Sequence, residues 1–553
     1  MELHNAEKAP RKASFQSQGN AMTQTTLQRV LVVGGGPVGL TTAALLARQG
    51  IASLVIEADK SYCTGSRAIC LSRRSLEILD WVGAADAIVS KGLPWTGGRS
   101  YFREQEVLQF DMPHDPTQRF APMTNIQQFY VEQFVHEAAQ RNTPDMVQVL
   151  WDTRLIKLTH TDDGVTVVLA TNGQNRVEYT DWLVACDGGR STVRDEMALP
   201  LKGIQYEGRY VIVDVLQKST RLKTNPVERL AWFDPPSNPG STVLMHRQPD
   251  DIWRIDYQVR DDEDPAEAVK PENVLPRVKA HLAWMGESEP WEAQWISIYN
   301  AKCLSLDSYR HGRVLFAGDA AHLLPIFGVR GLNSGLDDAG NLAWKLAAVI
   351  TQKAGDALLD TYSTERRAAA QINIEFGSKS TEFMSPPHHG FDLMRAAALR
   401  LAASTPMVRS LINPRQSLPV KYPARLGSDS QVGEVAPEAM LTIDGQVKHL
   451  SQFFGSDYCL LCFGKVVQIN GIRTLHLDQR TDAHGLARER MRVVDNPSKI
   501  AGSNVSADTC ILVRPDGYIA GRWETPDIAK IKIAWHQSLY LSEASIGILY
   551  ASA

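Results

Sequence analysis

The sequence lacks several features that would assign it to a particular class of protein. No hydrophobic run reaches the ~18 residues of a transmembrane helix, so no membrane span is predicted. Basic charge is not in excess, since 58 Lys and Arg stand against 62 Asp and Glu, which argues against nucleic-acid binding. Seven scattered cysteines do not indicate a disulfide framework, and they favour a cytoplasmic location. Cys459 and Cys462 have no companion pair, so no metal site is predicted.

A glycine-rich turn follows the first apolar segment, in "RVLVVGGGPVGL". G-x-G-x-x-G between a strand and a helix lets the backbone approach a pyrophosphate, which the N–H groups at the helix start can bind. The predicted ligands are Gly34, Gly36, Pro37, Val38 and Gly39. The next strand, "ASLVIEA", ends near Glu57, whose carboxylate can accept hydrogen bonds from ribose hydroxyls. We therefore predict an adenine dinucleotide, NAD or FAD, on a βαβ unit at residues 29–58.

Two later acidic residues also follow apolar strands. Asp187 follows one in "DWLVACDGGRSTVR", where a hairpin Asp-Gly turn is the alternative interpretation, and Asp319 ends "RVLFAGD". A helix then starts near Leu332, and its first N–H groups, at Gly331, Leu332 and Asn333, can meet the negative charge that a reduced isoalloxazine ring carries. FAD is long enough to contact both the N-terminal glycine loop and the distant segment that carries Asp319. An NAD dehydrogenase does not need this third segment. The cofactor is therefore predicted to be FAD.

The three motifs, in this order, resemble the single-component FAD-dependent aromatic hydroxylases, the group A flavoprotein monooxygenases with a p-hydroxybenzoate hydroxylase-like fold. Arg67, in "GSRAICLSRRSLEIL", and Gln128, in "QFYVE", match further motifs of that family. The resemblance implies that both residues lie on the FAD. The segment "LVRPDGYIAGRW" looks like part of the thioredoxin-like extension of the phenol hydroxylase and 3-(3-hydroxyphenyl)propionate hydroxylase branch.

One segment departs from the family pattern. Where the family usually reads P-P-x-G-G-Q-G-M-N, this chain reads "PIFGVRGLN" from Pro325 to Asn333. Ile326, Val329 and Arg330 thus replace a proline, a glycine and a glutamine. We expect FAD binding to persist and the geometry at the edge of the flavin to change.

The predicted fold is α/β, with a Rossmann-like FAD-binding domain, an inserted antiparallel sheet that forms the substrate domain, and a C-terminal thioredoxin-like domain. With 553 residues the chain exceeds one ordinary core. The predicted division is a flexible tail at 1–28, the first part of the FAD-binding domain at 29–199, the substrate sheet at 200–299, the second part of the FAD-binding domain at 300–360, a helical segment at 361–430 and the thioredoxin-like domain at 431–553.

The resemblance implies hydroxylation of a phenolic or other aromatic acid substrate, with NADH or NADPH and O₂, through a flavin C4a-hydroperoxide. In "IWRIDYQV" apolar and polar residues alternate. Either the apolar face packs inward and the polar face is solvated, or the polar face covers the flavin and Arg254 and Asp256 are contacts. The other substrate-side candidates are His246, which titrates near neutral pH, and Pro325 and Arg330 of the departing segment. No residue is assigned as the base.

Two other functions stay open. The same scaffold also serves flavin epoxidases and tailoring oxygenases that act on larger polycyclic substrates. A non-enzymatic Rossmann binding protein of the Rab GDP-dissociation-inhibitor type would share the glycine motif, although Asp319 and the flavin-facing helix argue against it. The expected partners are a small aromatic substrate and a second copy of the chain in a homodimer, with no nucleic acid and no membrane.

Overall fold

The computed structural model describes residues 29–541, apart from residues 66, 116, 220–222, 224–225, 261, 413–415, 424–430, 444–445, 464–466, 479–489 and 494–507. The predicted tail at 1–28 lies outside the described residues. The described helices are α1 (Pro37–Arg48), α2 (Arg73–Trp81), α3 (Ala85–Lys91), α4 (Gln128–Asn142), α5 (Thr192–Glu196), α6 (Pro265–Ala268), α7 (Pro271–Trp284), α8 (Gly331–Ile350), α9 (Leu358–Met384), α10 (His389–Ala402), α11 (Arg409–Ile412) and α12 (Ile528–Ser538). None of these helices is long and apolar enough to cross a membrane.

A six-stranded sheet carries the glycine motif. Its strands, in spatial order, are β17 (Arg310–His311), β18 (Val314–Phe316), β11 (Trp182–Ala185), β1 (Val30–Val33), β2 (Ser53–Ile56) and β7 (Val147–Leu150). All pairs are parallel except β17 with β18. The central strands are short, fully buried and apolar apart from Ser53, as in parallel sheets that are covered on both faces. The Rossmann-like part of the predicted fold is confirmed.

A three-stranded antiparallel sheet lies between β7 and β11 in the chain. It consists of β8 (Thr153–His160), β9 (Val165–Thr171) and β10 (Gln174–Thr180). Asn172 and Gly173, between β9 and β10, both have positive φ, at 50° and 78°. A two-residue turn of that kind matches the twist of a hairpin.

The largest sheet has ten strands. Nine follow the order β19 (His322–Leu323), β16 (Trp291–Ser305), β12 (Lys202–Gln217), β15 (Ile252–Val259), β14 (Thr242–Arg247), β13 (Val227–Phe233), β4 (Leu93–Phe102), β6 (Met123–Asn125) and β3 (Cys70–Ser72), and β5 (Gln105–Asp111) pairs with β4. The substrate sheet predicted for residues 200–299 is therefore too small. Strands from residues 70–125 complete it because β4 pairs with β13, and β16 extends it to Ser305.

Both faces of this large sheet are buried in the region of β15. Trp253, Ile255 and Tyr257 pack with residues of α7 in one apolar cluster. On the opposite face Arg254 is only 2% exposed and Asp256 only 7%. The interpretation in which the polar face is solvated is therefore wrong, because other parts of the chain cover that face as well.

The C-terminal residues form a seven-stranded mixed sheet. In spatial order the strands are β21 (Gln446–His449), β20 (Met440–Ile443), β24 (Arg490–Val493), β23 (Arg473–Asp478), β22 (Cys459–Phe463), β25 (Cys510–Val513) and β26 (Ile519–Trp523). Cys459 and Cys462 lie in the fully buried β22. This mixed sheet is the part of the fold for which a thioredoxin-like domain was predicted.

Candidate cofactor and substrate site

The glycine loop between β1 and α1 can accept glycine alone at two positions. Gly34 has φ +107°, and a Cβ there would lie 2.4 Å from the carbonyl oxygen of Cys186. A Cβ at Gly39 would lie 1.9 Å from the carbonyl oxygen of Gly34. A Cβ at Gly36, by contrast, would have no atom within 4 Å, and Gly36 is the N-cap of α1 with Pro37 next to it. The loop therefore leaves open space where the N-terminus of α1 can bind an anion.

Val38 joins this loop to the distant third motif. A Cβ at Gly335, in α8, would lie 2.6 Å from Cγ2 of Val38, and a Cβ at Gly318 would lie 3.2 Å from the same atom. The valine side chain thus packs directly on the segment that carries Asp319. The predicted pyrophosphate end and flavin end of the site are held together by this contact.

The carboxylate of Glu57 lies beside the glycine loop. Its Oε2 accepts a hydrogen bond from the N–H of Gly35 at 2.6 Å, and its Oε1 accepts one from the N–H of Asp59 at 2.9 Å. These bonds fix the side chain and leave further lone pairs on both oxygens. This placement is compatible with the predicted role of Glu57, which is to accept hydrogen bonds from ribose hydroxyls.

The three motif segments meet at the carboxyl edge of the six-stranded sheet. The N–H of Cys186 donates to the carbonyl of Val33 at 2.7 Å, and the N–H of Ala317 donates to the carbonyl of Ala185 at 2.9 Å. This is the edge at which such sheets bind their ligands. Asp187 and Asp319 leave their strands here, next to the glycine loop.

Asp187 has one carboxylate oxygen to spare. Its Oδ2 accepts a hydrogen bond from the N–H of Val193 at 3.1 Å. Its Oδ1 is buried and has no hydrogen-bond partner among the described residues. Burial also raises the pKa of this carboxyl. A buried carboxylate oxygen that accepts from no described donor suits a ligand with hydroxyl groups, and this placement favours the ligand role over a simple hairpin turn.

The side chain of Asp319 is accessible to solvent, but protein atoms surround its carboxyl group, and this burial raises its pKa. The combination indicates a carboxylate that faces a cleft. The charges of Arg67 and Arg194 act in the opposite direction and lower this pKa, so both arginines are near Asp319. Arg194 also donates to the carbonyl of Ala320 at 3.2 Å. Arg194 belongs to the second motif, "DWLVACDGGRSTVR", and was not among the predicted site residues.

Gln128 positions the segment that carries Arg67. Its Oε1 accepts a hydrogen bond from the N–H of Ala68 at 3.3 Å, and its Nε2 donates to Glu132 at 2.9 Å. Glu132 in turn accepts from the N–H of Cys63 at 2.8 Å. The predicted pair Arg67 and Gln128 is thus brought together at one side of the site.

The start of α8 is open to a ligand. The first bond within the helix joins the N–H of Ser334 to the carbonyl of Arg330 at 2.9 Å, so the N–H groups of Gly331, Leu332 and Asn333 precede it. A Cβ at Gly331 would have no atom within 4 Å. These three N–H groups and the helix dipole provide the positive end that was predicted for the flavin.

The side chain of Asn333 has a different role from its backbone. Its Oδ1 accepts from the N–H of Ser72 at 2.8 Å and from the hydroxyl of Ser75 at 2.6 Å. Its Nδ2 donates to the carbonyl of Cys70 at 3.1 Å. The side chain therefore links β3 to α8, and only the backbone N–H of Asn333 is available to a ligand at the start of the helix.

The residues that hold the third motif in place were not predicted from the sequence. Asp338, in α8, accepts hydrogen bonds from the N–H of Gly318 at 2.9 Å, from Nε2 of His322 at 2.7 Å and from Nε of Arg366 at 2.6 Å. Burial alone would raise the pKa of Asp338, but the charges of His322 and Arg366 hold it below its usual value. No local pattern reveals this network, because Arg366 lies in another helix.

The polar face of β15 adjoins the cofactor segments. Arg254 forms two 2.8 Å hydrogen bonds with Asp214 of β12, and its Nη1 donates to the carbonyl of Arg67 at 3.1 Å. The polar face therefore contacts the segment that carries Arg67, and the role of Arg254 and Asp256 toward the flavin or the substrate stays a prediction. Asp214 was not predicted.

Pro325 and Arg330, the candidates in the departing segment, both pack on α9. A Cβ at Gly377 would lie 2.4 Å from Cγ of Pro325, so the proline ring rests on the helix at that glycine. Arg330 donates to Oδ1 of Asn373 at 3.0 Å, and its guanidinium lies 5.5 Å from the ring centre of Phe376. The Arg330 side chain therefore holds the start of α8 against α9.

Comparison with known proteins agrees with this geometry. Residues 28–377, more than half of the chain, match the family described as FAD binding domain. A 3-(3-hydroxy-phenyl)propionate/3-hydroxycinnamic acid hydroxylase of Mycolicibacterium smegmatis is 30% identical over 69% of this chain and 66% of that protein. A protein of the same description from Mycobacterium sp. strain KMS is 27% identical over 93% of this chain and 91% of that protein. The flavin-dependent monooxygenase PieE, solved with FAD and substrate, has a TM-score of 0.77 at 21% identity and covers 94% of this chain and 100% of its own.

The chain therefore belongs to the FAD binding domain family. The prediction of an FAD-dependent aromatic monooxygenase, with NADH or NADPH and O₂ as co-substrates, is confirmed, and the non-enzymatic alternative is set aside. Among the described residues, no group of three or more His, Cys, Asp or Glu side chains is placed to hold a metal ion.

Proposed function

We propose that this monooxygenase hydroxylates a small phenolic carboxylic acid, bound between the polar face of the ten-stranded sheet and the flavin end of the cofactor site. The observation that carries the proposal is the contact between Arg254 and the carbonyl of Arg67. This contact places the polar face of the sheet beside Arg67, whose charge lowers the pKa of Asp319. Two relatives are hydroxylases named for 3-(3-hydroxy-phenyl)propionate and 3-hydroxycinnamic acid, which supports an acidic substrate.

The residues of the site fit FAD. We assign the pyrophosphate to the open space at Gly36, the adenosine ribose to Glu57, the ribityl hydroxyls to Asp187 and Asp319, and the flavin ring to the start of α8. When bound, FAD supplies the redox and oxygen-transfer chemistry, with NADH or NADPH and O₂ as reactants. The protein supplies binding, orientation and a dry environment.

An apolar cluster on the same side of the sheet provides that environment. It contains Tyr210, Phe233, Leu244, Phe327 and Met384. The rings of Tyr210 and Phe327 pack edge to face, with their centroids 5.1 Å apart. The Tyr210 hydroxyl donates to the carbonyl of Met384 at 3.0 Å. Such a cluster can enclose an aromatic ring and exclude water from the reaction.

The departing segment supplies part of this apolar wall. Ile326, Phe327 and Val329 all pack in the same cluster. Val329 has φ +53°, which is unusual for a β-branched residue, at the position where the family usually has glycine. We infer that the departure reshapes the wall of the substrate pocket, whereas the start of α8 keeps its place.

A substrate panel tests the proposed function. The purified FAD-loaded protein is assayed for NADH and NADPH oxidation, O₂ uptake and product mass with 3-(3-hydroxyphenyl)propionate, 3-hydroxycinnamate, the carboxylate-free control 3-ethylphenol and a polycyclic phenol. We expect coupled formation of a hydroxylated product with the acids. Coupled turnover with the polycyclic phenol alone would replace the proposal with the tailoring-oxygenase alternative.

We also propose a cytoplasmic location. All seven cysteines are free thiols, and five of them are buried. Free thiols throughout a chain of this size are typical of a reducing compartment. Fractionation of the native host tests this, and recovery of the protein in the periplasmic or secreted fraction would contradict it.

A further inference from the structure

Three buried polar side chains stand side by side on the polar face of the ten-stranded sheet. They are Arg229 of β13, His246 of β14 and Asp256 of β15, which are 7%, 6% and 7% exposed. Nη1 of Arg229, Nδ1 of His246 and Oδ1 of Asp256 are buried and have no hydrogen-bond partner in the described part of the chain. Buried polar groups are normally satisfied, so three neighbouring exceptions indicate a site for a ligand.

The strand register places these side chains together. His246 lies opposite Arg254, and Leu244 lies opposite Asp256, so His246 and Asp256 are diagonal neighbours on one face. Pairing of Leu230 with Met245 puts Arg229 next to His246 at the following position. The charges of Arg229 and Arg254 both lower the pKa of His246, and that of Arg229 lowers the pKa of Asp256, as expected for neighbours on one face.

The cluster also lies close to the flavin end of the cofactor site. Cys70 is near enough to Arg229 to influence its pKa. The carbonyl of Cys70 accepts the hydrogen bond from Asn333 at the start of α8. Arg254, opposite His246, reaches the carbonyl of Arg67. Two independent connections therefore join the three side chains to the segments assigned to FAD.

Arg229 differs from the comparable buried arginines. Arg254 is held by both oxygens of Asp214, and Arg366 bonds Asp338. Within the described residues Arg229 forms neither an ion pair nor a hydrogen bond of its side chain, and burial lowers its pKa to about 10. It still carries its charge at neutral pH, and a buried charge without a counterion is costly. The charge of Asp256 raises the pKa of Arg229, but in the described part of the chain the two side chains form no ion pair, so the guanidinium is available to an anion that enters the site.

His246 and Asp256 suit the same anion. Burial, with the nearby arginines, lowers the pKa of His246 to about 3, so the imidazole is neutral at pH 7. Burial raises the pKa of Asp256 to about 7, although the charges of Arg254 and Arg229 oppose this shift. A protonated Asp256 can donate a hydrogen bond, and a neutral imidazole can donate through one nitrogen.

We propose that Arg229 binds the carboxylate of the substrate, and that His246 and Asp256 complete the binding site as hydrogen-bond partners. The inference rests on the proposed function, because the anion is the acid group of that aromatic substrate. A guanidinium is the side chain that best matches a carboxylate, through two parallel N–H···O bonds. Anchoring the acid group at the sheet would leave the aromatic ring in the apolar cluster beside the flavin end.

Equilibrium binding to the oxidised, FAD-loaded protein tests the proposal without turnover. The probes are 3-(3-hydroxyphenyl)propionate and its neutral analogue 3-(3-hydroxyphenyl)propanamide, followed by the change in flavin absorbance or fluorescence. For Arg229→Met we expect the Kd of the acid to rise roughly 100-fold and that of the amide to change less than about threefold. Arg229→Lys keeps the charge and loses the two-point geometry, so its Kd for the acid should lie between those of the wild type and Arg229→Met. The matched control is Arg99→Met, on the adjacent strand β4, where the arginine is partly exposed and already paired with Glu228.

The possible results separate the two proposals. Equal weakening of acid and amide in Arg229→Met would overturn the role of Arg229 and leave the proposed function standing. Wild-type protein that neither binds nor hydroxylates any phenolic acid would overturn both. If Arg229→Met does not retain FAD, the affinities of the wild-type protein for the acid and for the amide decide. Equal affinities would contradict a carboxylate site.

Discussion

Arg254 and Asp214 lie opposite each other on β15 and β12 and form a two-point ion pair, with both nitrogen–oxygen distances at 2.8 Å. Both side chains are almost completely buried. The pair fixes the guanidinium so that its remaining nitrogen reaches the carbonyl of Arg67. One strand pairing thus connects the substrate sheet to the cofactor site.

Replacement of Asp214 by asparagine should leave Arg254 buried without its counterion. We expect Asp214→Asn to lower the free energy of unfolding by roughly 3–5 kcal/mol, measured by urea denaturation of the FAD-loaded protein. The control is Glu267→Gln, which removes an exposed pair with Lys270 and should lower the free energy of unfolding far less. Equal effects of the two substitutions would show that the buried pair has no special role.

The cofactor edge could be predicted from sequence because its determinants are local. Gly34 and Gly39 stand within one turn, and the strand that precedes Asp319 is visible as an apolar run. Strand pairing is not local, so the partnership of Arg254 with Asp214, 40 residues away, left no signal. For the same reason the sequence did not reveal that the strands β3, β4, β5 and β6 belong to the large sheet.

The alternation in "IWRIDYQV" correctly separated the two faces of β15 but could not show which was buried. Period-2 patterns normally indicate one core face and one solvated face. Here α7 covers the apolar face and the cofactor side covers the polar face. The polar residues inside were therefore the sign of a site, and Arg229 gave no motif by which sequence could have identified it.

Gly36 offers a direct test of the pyrophosphate position. A Cβ there meets no atom within 4 Å, and φ of −73° suits any residue, so Gly36→Ala should leave the stability of the apoprotein unchanged. The methyl group would occupy the space assigned to the cofactor, so we expect the Kd for FAD to rise at least about tenfold, a change of ~1.4 kcal/mol. Reconstitution of apoprotein, followed by flavin fluorescence, measures this Kd.

Gly39→Ala is the matched comparison, because its Cβ would lie 1.9 Å from the carbonyl oxygen of Gly34. It should destabilise the apoprotein itself. Wild-type FAD affinity in Gly36→Ala would show that the cofactor does not approach this part of the loop.

Asp256 should give the protein a distinctive pH dependence. Burial raises the pKa of its carboxyl from 3.8 to about 7 in the folded state. Between these values the folded protein binds more protons than the unfolded chain, so the contribution of Asp256 lowers the free energy of unfolding as pH rises. The slope is at most about 1.4 kcal/mol per pH unit, and it ends above pH 7.

Comparison of Asp256→Asn with wild type isolates this contribution, because His246, whose lowered pKa has the opposite effect below pH 6.5, remains in both proteins. Urea denaturation at several pH values should show the variant gaining stability relative to wild type from pH 4 to pH 7. A difference that does not change with pH would mean that the carboxyl is not buried in this way.

Arg330→Gln examines the segment that departs from the family pattern. The substitution removes the bond to Asn373 and the stacking on Phe376. We expect the free energy of unfolding to fall by about 1–3 kcal/mol, since a buried acceptor loses its donor, and the KM for the substrate to stay nearly constant. A large rise in KM at unchanged stability would instead place the Arg330 side chain on the substrate.

Arg514 joins the C-terminal sheet to the helices of the cofactor site. Its two terminal nitrogens each lie 2.9 Å from an oxygen of Glu365, in α9, and the buried Lys345, in α8, bonds the same carboxylate at 2.7 Å. Burial alone would raise the pKa of Glu365, but these two cations hold it well below its usual value. The stability that Glu365 contributes is therefore present above its ordinary pKa and is lost as pH falls.

Arg514→Met should weaken the protein most in acid. With one cation gone, Glu365 takes up a proton at higher pH, so the midpoint of acid unfolding should rise by about one pH unit. Circular dichroism and the release of FAD fluorescence, followed in one titration, measure this midpoint, and the two signals should move together because α8 carries both the ion pair and the flavin end of the site. Arg310→Met, which loses only exposed partners, is the control. An unchanged midpoint in Arg514→Met would mean that the ion pair between Arg514 and Glu365 contributes nothing to stability in acid.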